Sequence, residues 1–274
     1  MSEPRILITG STGFIGMHTY GILKDMGYDA TPCSRSSDMF FDLFNDNSIR
    51  HIILRTQPTH LLHIAWDVSD GYLENNATNK HCAEQSMKLV REFVKGGGKR
   101  IVLAGTQNTP EINRTVYGFW KNELHSDIAH YCKPNGVSYA HGRIYNVYGI
   151  YEKRKRLVPT IINNLLDSAP IRLLDKSIDL LNSEDVASAL CHITVSDIIG
   201  NVDIGSGVST HLKEIENVVR GCMGMEPKVF PATIERGYTA DISRLKKIGW
   251  KPKYSLKEGM LKTCDWWKQK RGEP

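Results

Sequence analysis

The chain has 274 residues, 41% of them hydrophobic, and a formal net charge of +5, so it can bury a full α/β core as one domain or as a domain with a smaller lobe. No apolar run is long enough to cross a membrane and no secretory leader precedes the first apolar segment, so we expect a cytoplasmic protein with no membrane partner. The six cysteines form no Cys-x-x-Cys pair and the ten histidines show no ligand spacing, so neither a disulfide framework nor a metal site is expected.

The positive charge is concentrated in two clusters, at 153–156 and 246–253. Neither cluster has interleaved aromatic residues or a recognisable binding motif, so we expect no nucleic-acid partner. Our first interpretation is a solvated surface, and our second is contact with the phosphates of an anionic substrate.

Strand and helix patterns alternate from the start of the chain, which predicts a parallel sheet with helices on both faces. We predict strands at 5–9, 28–33, 38–41, 60–64, 99–104, 137–145 and 200–204. We predict helices at 14–26, 46–56, 74–96, 117–133, 159–168, 184–195, 211–222 and 256–270. After about residue 149 the alternation lapses, which predicts a smaller lobe over the carboxyl edge of the sheet, where ligands of such sheets bind.

The first predicted strand passes through three glycines into the first predicted helix. In such a turn Gly10 makes the tight bend, Gly13 lets a phosphate approach the backbone, and Gly16 lets the helix contact the strand. The helix start at Phe14 and Ile15 offers unpaired N–H groups and the positive end of the helix dipole to an anion. The pattern therefore predicts a dinucleotide pyrophosphate site. The alternative is an ordinary loop that needs glycine only for its backbone geometry.

The end of the second predicted strand indicates which dinucleotide binds. Arg35 stands where an NAD site would usually place a carboxylate for the ribose hydroxyl, and a guanidinium can pair bidentately with a 2′-phosphate. This favours NADP(H) and leaves NAD(H) open, since a solvated loop arginine would also explain Arg35. Asp42 is placed either to accept a hydrogen bond from the adenine amine or to cap a helix.

Three segments match the pattern Tyr-x-x-x-Lys, beginning at Tyr20, Tyr117 and Tyr151. The first lies on the helix of the glycine turn, and the third lies in an irregular basic stretch. Tyr117 and Lys121 open a helix after a predicted strand, so their side chains share one face. There the lysine can lower the pKa of the phenol, which would let the tyrosine exchange a proton with a substrate oxygen. The alternative is an ordinary surface pair.

Together these motifs resemble the extended short-chain dehydrogenase/reductases, the group of NAD(P)-dependent NDP-sugar epimerases, dehydratases and reductases. The resemblance rests on Thr9-Gly-x-x-Gly-Phe-Ile-Gly16, Asp42-Leu43, segment 60–65, Tyr117-x-x-x-Lys121, segment 143–149, Asp185-Val-Ala187, and segments 201–207 and 248–259. It implies a Rossmann-type doubly wound parallel sheet with a smaller C-terminal substrate-binding lobe. The dinucleotide-binding domain would span 1–149, with the strand near 200–204 returning to it, and the lobe would be mainly 150–274.

Within this group the chain is similar to reductases and epimerases of 6-deoxy sugar nucleotides. The resemblance implies a catalytic trio of Thr106, Tyr117 and Lys121. It also implies a set of cofactor contacts: Leu43, Ala65, Asn79 and Ile144.

The resemblance implies two substrate contacts. Asn146 would face the sugar nucleotide, although a buried polar group that fixes a turn would look the same. Trp66 would stack on the substrate, with core packing as the alternative.

The sequence departs from the family pattern at three places, one of which is Ile150 in place of the proline that commonly follows Tyr-Gly. Eleven positions separate Thr106 from Tyr117, about half the usual interval, so we infer that a loop after Gln107, which normally helps to wall the sugar pocket, is missing. Thr115 is a weaker substitute for the hydroxyl. The phosphate-clamping arginine of the family is replaced here by Ile178. Either Arg236 or the cluster around Arg154 would bind the diphosphate, or the substrate carries a different charged group.

We therefore expect an NADPH-dependent reductase of a nucleotide-linked 4-keto-6-deoxy sugar, with hydride transfer to C4 and Tyr117 as the proton donor. The first alternative is a C4 epimerase that keeps its cofactor, and the second is an inactive nucleotide sensor or scaffold. Because related enzymes pair through two long helices, a homodimer through 74–96 and 117–133 is also expected.

Overall fold

The computed structural model describes residues 3–108, 115–230 and 237–272. Its strands are β1 (Arg5–Thr9), β2 (Asp29–Cys33), β3 (His60–His63), β4 (Arg100–Ala104), β5 (Ser138–Ile144), β6 (Asn146–Tyr148), β7 (Ser177–Asn182), β8 (Gly200–Ile204) and β9 (Ser209–His211). Its helices are α1 (Gly16–Asp25), α2 (Asp46–Thr56), α3 (Asn76–Lys95), α4 (Val116–Cys132), α5 (Leu157–Leu166), α6 (Ser183–Val195), α7 (Leu212–Cys222), α8 (Ser243–Lys247) and α9 (Leu256–Gly272).

The main sheet is parallel throughout, in the order β2-β1-β3-β4-β5-β8. Helices cover both faces, with α1 and α6 packed together on one and α2, α3 and α4 on the other. Both faces of the strands are therefore buried, which explains their nearly continuous apolar sequences. The strand order reverses between β1 and β3, so a crevice opens at the carboxyl ends of these two strands. The predicted Rossmann-type fold is confirmed.

A second, three-stranded sheet in the order β6-β7-β9 lies outside the main sheet. Its core is a separate hydrophobic cluster that includes Tyr148, Ile162, Leu180, Ile215 and Trp267. By contrast, α6 packs against α1, β3 and β4, although it lies beyond the predicted boundary at residue 149. None of the described helices is both long and apolar enough to span a bilayer.

The predicted elements agree with the observed ones to within two residues at each end, with one exception. The predicted strand at 38–41 is wrong. Phe40 makes only an isolated bridge with Ser34, and Phe41 N–H donates to the Ser34 carbonyl at 2.9 Å, so the segment folds back on the end of β2.

β7 was not predicted from the sequence, because the carboxylate of Asp179 interrupts its apolar run. Asp179 is fully buried, and its side chain accepts backbone N–H bonds from Ser206, Gly207 and Ala240 at 2.6, 2.9 and 3.0 Å. These three hydrogen bonds compensate for the burial of the carboxylate. Because the donors are distant in the chain, no local sequence pattern indicates them.

The C-terminus of α6 is held to the main sheet by a buried guanidinium. Arg100, on β4, donates to the carbonyls of Ile193, Thr194 and Ile198 at 2.6, 3.0 and 2.8 Å, and to Ser138 Oγ at 2.6 Å. Burial lowers the pKa of Arg100 to about 10, so the guanidinium stays charged at neutral pH. Its positive charge interacts favourably with the negative end of the α6 dipole.

We expect Arg100→Met to lower the free energy of unfolding by about 3 kcal/mol, because it leaves buried carbonyl groups unpaired. Arg5→Met is the matched control, since Arg5 is exposed and donates to the Gln57 carbonyl. Urea denaturation should show that Arg5→Met lowers the free energy of unfolding by less than about 1 kcal/mol. Equal losses in the two variants would contradict this account of α6.

Candidate active site

The glycine turn follows β1 directly and requires glycine at two positions. Gly10 has a φ of 73°, and a Cβ there would lie 2.8 Å from the backbone of Ala65, just after β3. A Cβ on Gly16 would overlap the carbonyl oxygen of Gly10. The turn therefore brings the start of α1 against the ends of both strands.

The residues of this turn fit an anion such as a pyrophosphate. No side chain in the described part of the chain caps α1, and its first turn carries no acidic residue. The Ser11 hydroxyl is buried without a described partner, Gly13 is exposed, and Phe14 and Ile15 are half-buried beside it. Backbone donors, the helix dipole and an orphaned hydroxyl thus meet at one place.

Exposed donors lie at the end of β2, beside the glycine turn. Thr12 Oγ1 lies 3.0 Å from the hydroxyls of both Ser34 and Ser36, and the Arg35 side chain between these serines is exposed. An exposed arginine next to these hydroxyl groups in the chain supplies a charge suited to a phosphate.

Asp42 is not the N-cap of α2, one of the two roles predicted for it. The cap is Asn45, whose side chain accepts the N–H groups of Asn47 and Ser48. The Asp42 carboxylate instead accepts the N–H of Phe44 at 3.1 Å. The next residue, Leu43, is buried in the core, so only part of this segment faces outward.

Lys121 is buried at the carboxyl end of β4. Its Nζ donates to the Ala104 carbonyl at 2.8 Å and lies 4.1 Å from the centroid of the Trp66 ring. Trp66 is held in turn by its indole N–H, which donates to Asn79 Oδ1 at 2.8 Å, and Asn79 Nδ2 donates to the Tyr72 carbonyl at 2.5 Å. The ammonium is thus placed by a carbonyl, an aromatic face and a buried amide.

Tyr117 lies in the first turn of α4, beside the same indole. Its ring is edge-on to Trp66 and Tyr72, with centroids 6.0 and 5.1 Å away. Thr115 caps the helix by accepting the Gly118 N–H at 2.9 Å, so its hydroxyl already has a structural role. Of the three Tyr-x-x-x-Lys segments, this one places its lysine inside the molecule at the carboxyl edge of the sheet.

The electrostatics of the pair differ from the prediction. Burial lowers the pKa of Lys121 to about 7. Burial raises the pKa of Tyr117 well above its usual value, and the neighbouring Tyr72 raises it further. Lys121 does not counteract this. The reason is that the ammonium turns toward Ala104 and lies 6.0 Å from the Tyr117 ring centroid. The phenol is therefore protonated at neutral pH, and the lysine is close to its midpoint.

Thr106 lies two residues beyond β4, in a segment that runs alongside the end of β5. Gln107 N–H donates to the Ile144 carbonyl at 2.8 Å, and the buried Thr106 hydroxyl accepts the Asn108 N–H at 3.2 Å. The inferred loop deletion adjoins residues 109–114, which lie outside the described part of the chain.

A buried histidine, which the sequence analysis did not single out, supports the strand ends beneath the site. His63 Nδ1 lies 2.7 Å from Thr9 Oγ1, and its Nε2 lies 2.8 Å from Ser86 Oγ. Burial, together with the charge of Lys121, lowers its pKa to about 3, so it is neutral at physiological pH. The sequence signal that could have identified His63 is a polar residue near the end of the apolar segment 60–64.

The basic cluster at 153–156 is exposed, as predicted for a solvated surface, but it also contacts segment 68–72. Lys153 Nζ donates to the Val68 carbonyl at 2.5 Å and Lys155 pairs with Asp70 at 2.9 Å. Arg156 lies 5.8 Å from the centroid of the Tyr72 ring. The cluster therefore holds the segment that packs against Tyr117.

The predicted substrate contacts are dispersed. Asn146, half-buried on β6, donates from Nδ2 to the Asp179 carbonyl at 2.9 Å and so joins β6 to β7. Arg154 pairs with Asp167 at 3.8 Å. Arg236 lies outside the described residues.

Residues 6–201 match the model of the NAD dependent epimerase/dehydratase family, so the chain belongs to this family, as predicted. Over 314 aligned residues it is 22% identical to an Arabidopsis thaliana protein named trifunctional UDP-glucose 4,6-dehydratase/UDP-4-keto-6-deoxy-D-glucose 3,5-epimerase/UDP-4-keto-L-rhamnose-reductase. The match covers 97% of this chain and 47% of that protein, so the chain spans about half the length of this relative.

Two solved structures show the same fold. A UDP-glucose 4-epimerase from Thermus thermophilus, in complex with NAD, has a TM-score of 0.83 at 21% identity, covering 98% of this chain and 100% of that one. RMD from Pseudomonas aeruginosa, complexed with NADPH, has a TM-score of 0.83 at 16% identity, covering 98% of both chains.

In the free protein we expect the Lys121 amine to titrate at about pH 7, becoming an ammonium as the pH falls. Ordinary lysines titrate near about 10.4. NMR of the chain with ¹³Cε-labelled lysine should show one such signal, and Lys121→Met should remove it. If all lysine signals titrate together above about pH 9, the described burial of Lys121 is wrong.

Proposed function

We propose that this chain is an NADPH-dependent reductase of a nucleotide-linked 4-keto-6-deoxy sugar. The observation that carries the proposal is the position of the Tyr117 phenol and the buried Lys121 on either side of the Trp66 indole, at the carboxyl end of β4. The glycine turn after β1 adjoins β3 through the contact of Gly10 with Ala65, so a dinucleotide anchored there would reach this pair.

The residues that would hold the cofactor lie along one edge of the sheet. Gly10, Gly13 and the start of α1 would bind its pyrophosphate, Arg35 the 2′-phosphate, and Ala65 the side of its channel. Asn79, the other predicted channel residue, is fully buried and holds Trp66. When bound, the reduced nicotinamide supplies a hydride. The remaining chemistry belongs to the protein.

Reduction of a C4 carbonyl adds a hydride to carbon and a proton to oxygen. Tyr117 donates that proton, and its raised pKa keeps the proton on the phenol until the oxygen gains alkoxide character. For Lys121 to return a proton to the phenolate that forms, its ammonium must turn from the Ala104 carbonyl toward Tyr117, and this movement is part of the proposal. The Thr106 hydroxyl hydrogen-bonds the same oxygen. Trp66 covers Lys121, a role we prefer to substrate stacking.

The names of relatives support this class of reaction. The Arabidopsis relative is named in part as a UDP-4-keto-L-rhamnose reductase, and the Pseudomonas protein was solved with NADPH. The Thermus structure is named a UDP-glucose 4-epimerase, which favours C4 epimerisation as the second candidate. Arg35 favours reduction, because exchangeable NADPH is the usual biosynthetic reductant. The homodimer through α3 and α4 and the cytoplasmic location stay predictions.

Incubation with NADPH and 4-keto-6-deoxyhexoses linked to UDP, dTDP, CDP or GDP tests the proposal. For one of these sugars we expect loss of one NADPH per sugar reduced, followed by absorbance and by mass spectrometry of the alcohol. Interconversion of C4 epimers of a nucleotide sugar without net loss of NADPH would replace the reductase with an epimerase. No turnover of either kind would contradict both.

Arg35→Ala should raise the KM for NADPH about tenfold or more and leave the KM for NADH unchanged, since a charge-assisted bond to the 2′-phosphate is lost. Arg50→Ala, an exposed arginine on α2, is the matched control and should change neither value. An equal effect of Arg35→Ala on both cofactors, or no effect, would remove the basis for NADPH preference.

A further inference from the structure

A second buried histidine, His141 on β5, lies with the edge of its ring directly against Gly105, the residue before Thr106. A Cβ on Gly105 would lie 1.8, 2.5 and 2.9 Å from Nε2, Cδ2 and Cε1 of His141, and these are the three nearest atoms that it would meet. Gly105 does not have a positive φ. The histidine ring, and not the backbone conformation, therefore stands where a side chain at position 105 would go.

The face of the same ring contacts α4. The ring of His125 stacks on that of His141, with centroids 4.0 Å apart and planes inclined by 14°. His125 lies four residues after Lys121, so it is one turn further along the helix that carries the proposed catalytic pair. The His141 ring thus fills the space between this helix and the segment that carries Thr106.

A hydrogen bond holds the ring in its plane. His141 Nδ1 lies 3.0 Å from Asn201 Oδ1 on β8, and an amide oxygen only accepts, so Nδ1 carries the proton and Nε2 keeps its lone pair. Nε2 is buried without a partner among the described residues, on a side chain that is 1% exposed. An unpaired buried acceptor destabilises the fold. A residue kept at such a position despite that loss points to a role in the site.

The ring is also neutral. Burial lowers the pKa of His141 to about 3, and the neighbouring His125 acts in the same direction. At physiological pH the ring therefore adds no second positive charge close to Lys121. It acts on its surroundings through its shape.

The backbone around Thr106 transmits the position of Gly105 to the threonine. Gly105 N–H donates to the Gly142 carbonyl at 2.8 Å, and Gln107 N–H donates to the Ile144 carbonyl at 2.8 Å. Segment 105–107 is therefore fixed to β5 along one side, while the His141 ring sets its distance from α4. Because Thr106 lies between these two bonds, any displacement of Gly105 also moves its hydroxyl.

We propose that His141 is a positioning residue, whose ring edge fixes Gly105 and thereby the distance between the Thr106 hydroxyl and Tyr117 on α4. The inference rests on the proposed function only for the part that Thr106 plays in the reaction. The placement itself can be measured without turnover.

An exchange of volume between positions 105 and 141 tests the proposal. Gly105→Ala places a methyl group 1.8 Å from Nε2, so the ring or the backbone must move by about 1 Å or more. With the UDP-, dTDP-, CDP- or GDP-linked 4-keto-6-deoxyhexose that the chain reduces, we expect kcat to fall about 10- to 10²-fold and the Kd for NADPH to stay unchanged.

The rescue comes from a second substitution. His141→Asn keeps an amide near the position of Nδ1 and removes the ring edge at Gly105. Added to Gly105→Ala, it should bring kcat back to within about threefold of the unsubstituted enzyme. The matched controls are Gly21→Ala, where a Cβ meets nothing within 4 Å, and His130→Asn, on the exposed face of α4. Neither should change kcat.

A readout independent of activity comes from Asn108, whose N–H donates to Thr106 Oγ1 at 3.2 Å. We expect Gly105→Ala to shift the ¹H–¹⁵N signal of this amide in the same direction as Thr106→Val, which removes the bond. The double variant should return the signal. Both variants carry the same alanine at position 105, so the difference between them is the effect of the His141 ring.

The proposal is overturned if Gly105→Ala changes neither kcat nor the Asn108 signal, or if adding His141→Asn recovers neither. If Gly105→Ala does not fold, His141→Asn is compared with the double variant, which should restore the Asn108 signal that the single substitution shifts. If the unsubstituted enzyme reduces none of the nucleotide sugars, the proposed function fails, and the Asn108 signal alone decides whether His141 positions Thr106.

Discussion

The site depends on one costly burial, that of the Lys121 ammonium, which is 3% exposed and has no carboxylate against it among the described residues. A charge removed from water needs compensation, and here a backbone carbonyl and the face of Trp66 supply it only in part. The result is a lysine with its pKa near 7 instead of a permanent cation. Asn79 fixes the indole of Trp66 through a hydrogen bond and is itself bonded to the Tyr72 carbonyl. The Tyr72 ring packs edge-on against the phenol of Tyr117. Near neutral pH the lysine therefore gains or loses its proton, while the phenol keeps its own.

The topology of the sheet explains why this pair and the glycine turn are neighbours. Parallel strands direct all their carboxyl ends to one edge, and the reversal between β1 and β3 opens a crevice there. His63 links Thr9 on β1 to Ser86 on α3 beneath that crevice, which ties the turn and the indole-bearing segment to a common base. Positions distant in sequence thus become parts of one site.

Much of this was predictable, because the deciding signals are local. The glycine spacing predicts the turn, and the four-residue spacing of Tyr117 and Lys121 predicts a shared helix face. What escaped prediction depends on long-range contacts. The placement of Tyr72 against Tyr117 requires segment 68–72 to be held by Lys153 and Lys155, which are 85 positions from their partners in the chain. The direction of the Lys121 ammonium follows from a carbonyl at the end of β4, and both pKa shifts follow from burial by segments that are distant in the chain.

The central claim is that the Tyr117 phenol donates the proton in the reaction, and one comparison of variants tests it most directly. Tyr20 heads another Tyr-x-x-x-Lys segment, on α1, and is 40% exposed, so Tyr20→Phe is a control of identical chemistry. The account predicts that Tyr117→Phe lowers kcat by about 10²- to 10⁴-fold and leaves the Kd for NADPH unchanged, while Tyr20→Phe retains full activity. Equal activity of the two variants would contradict it.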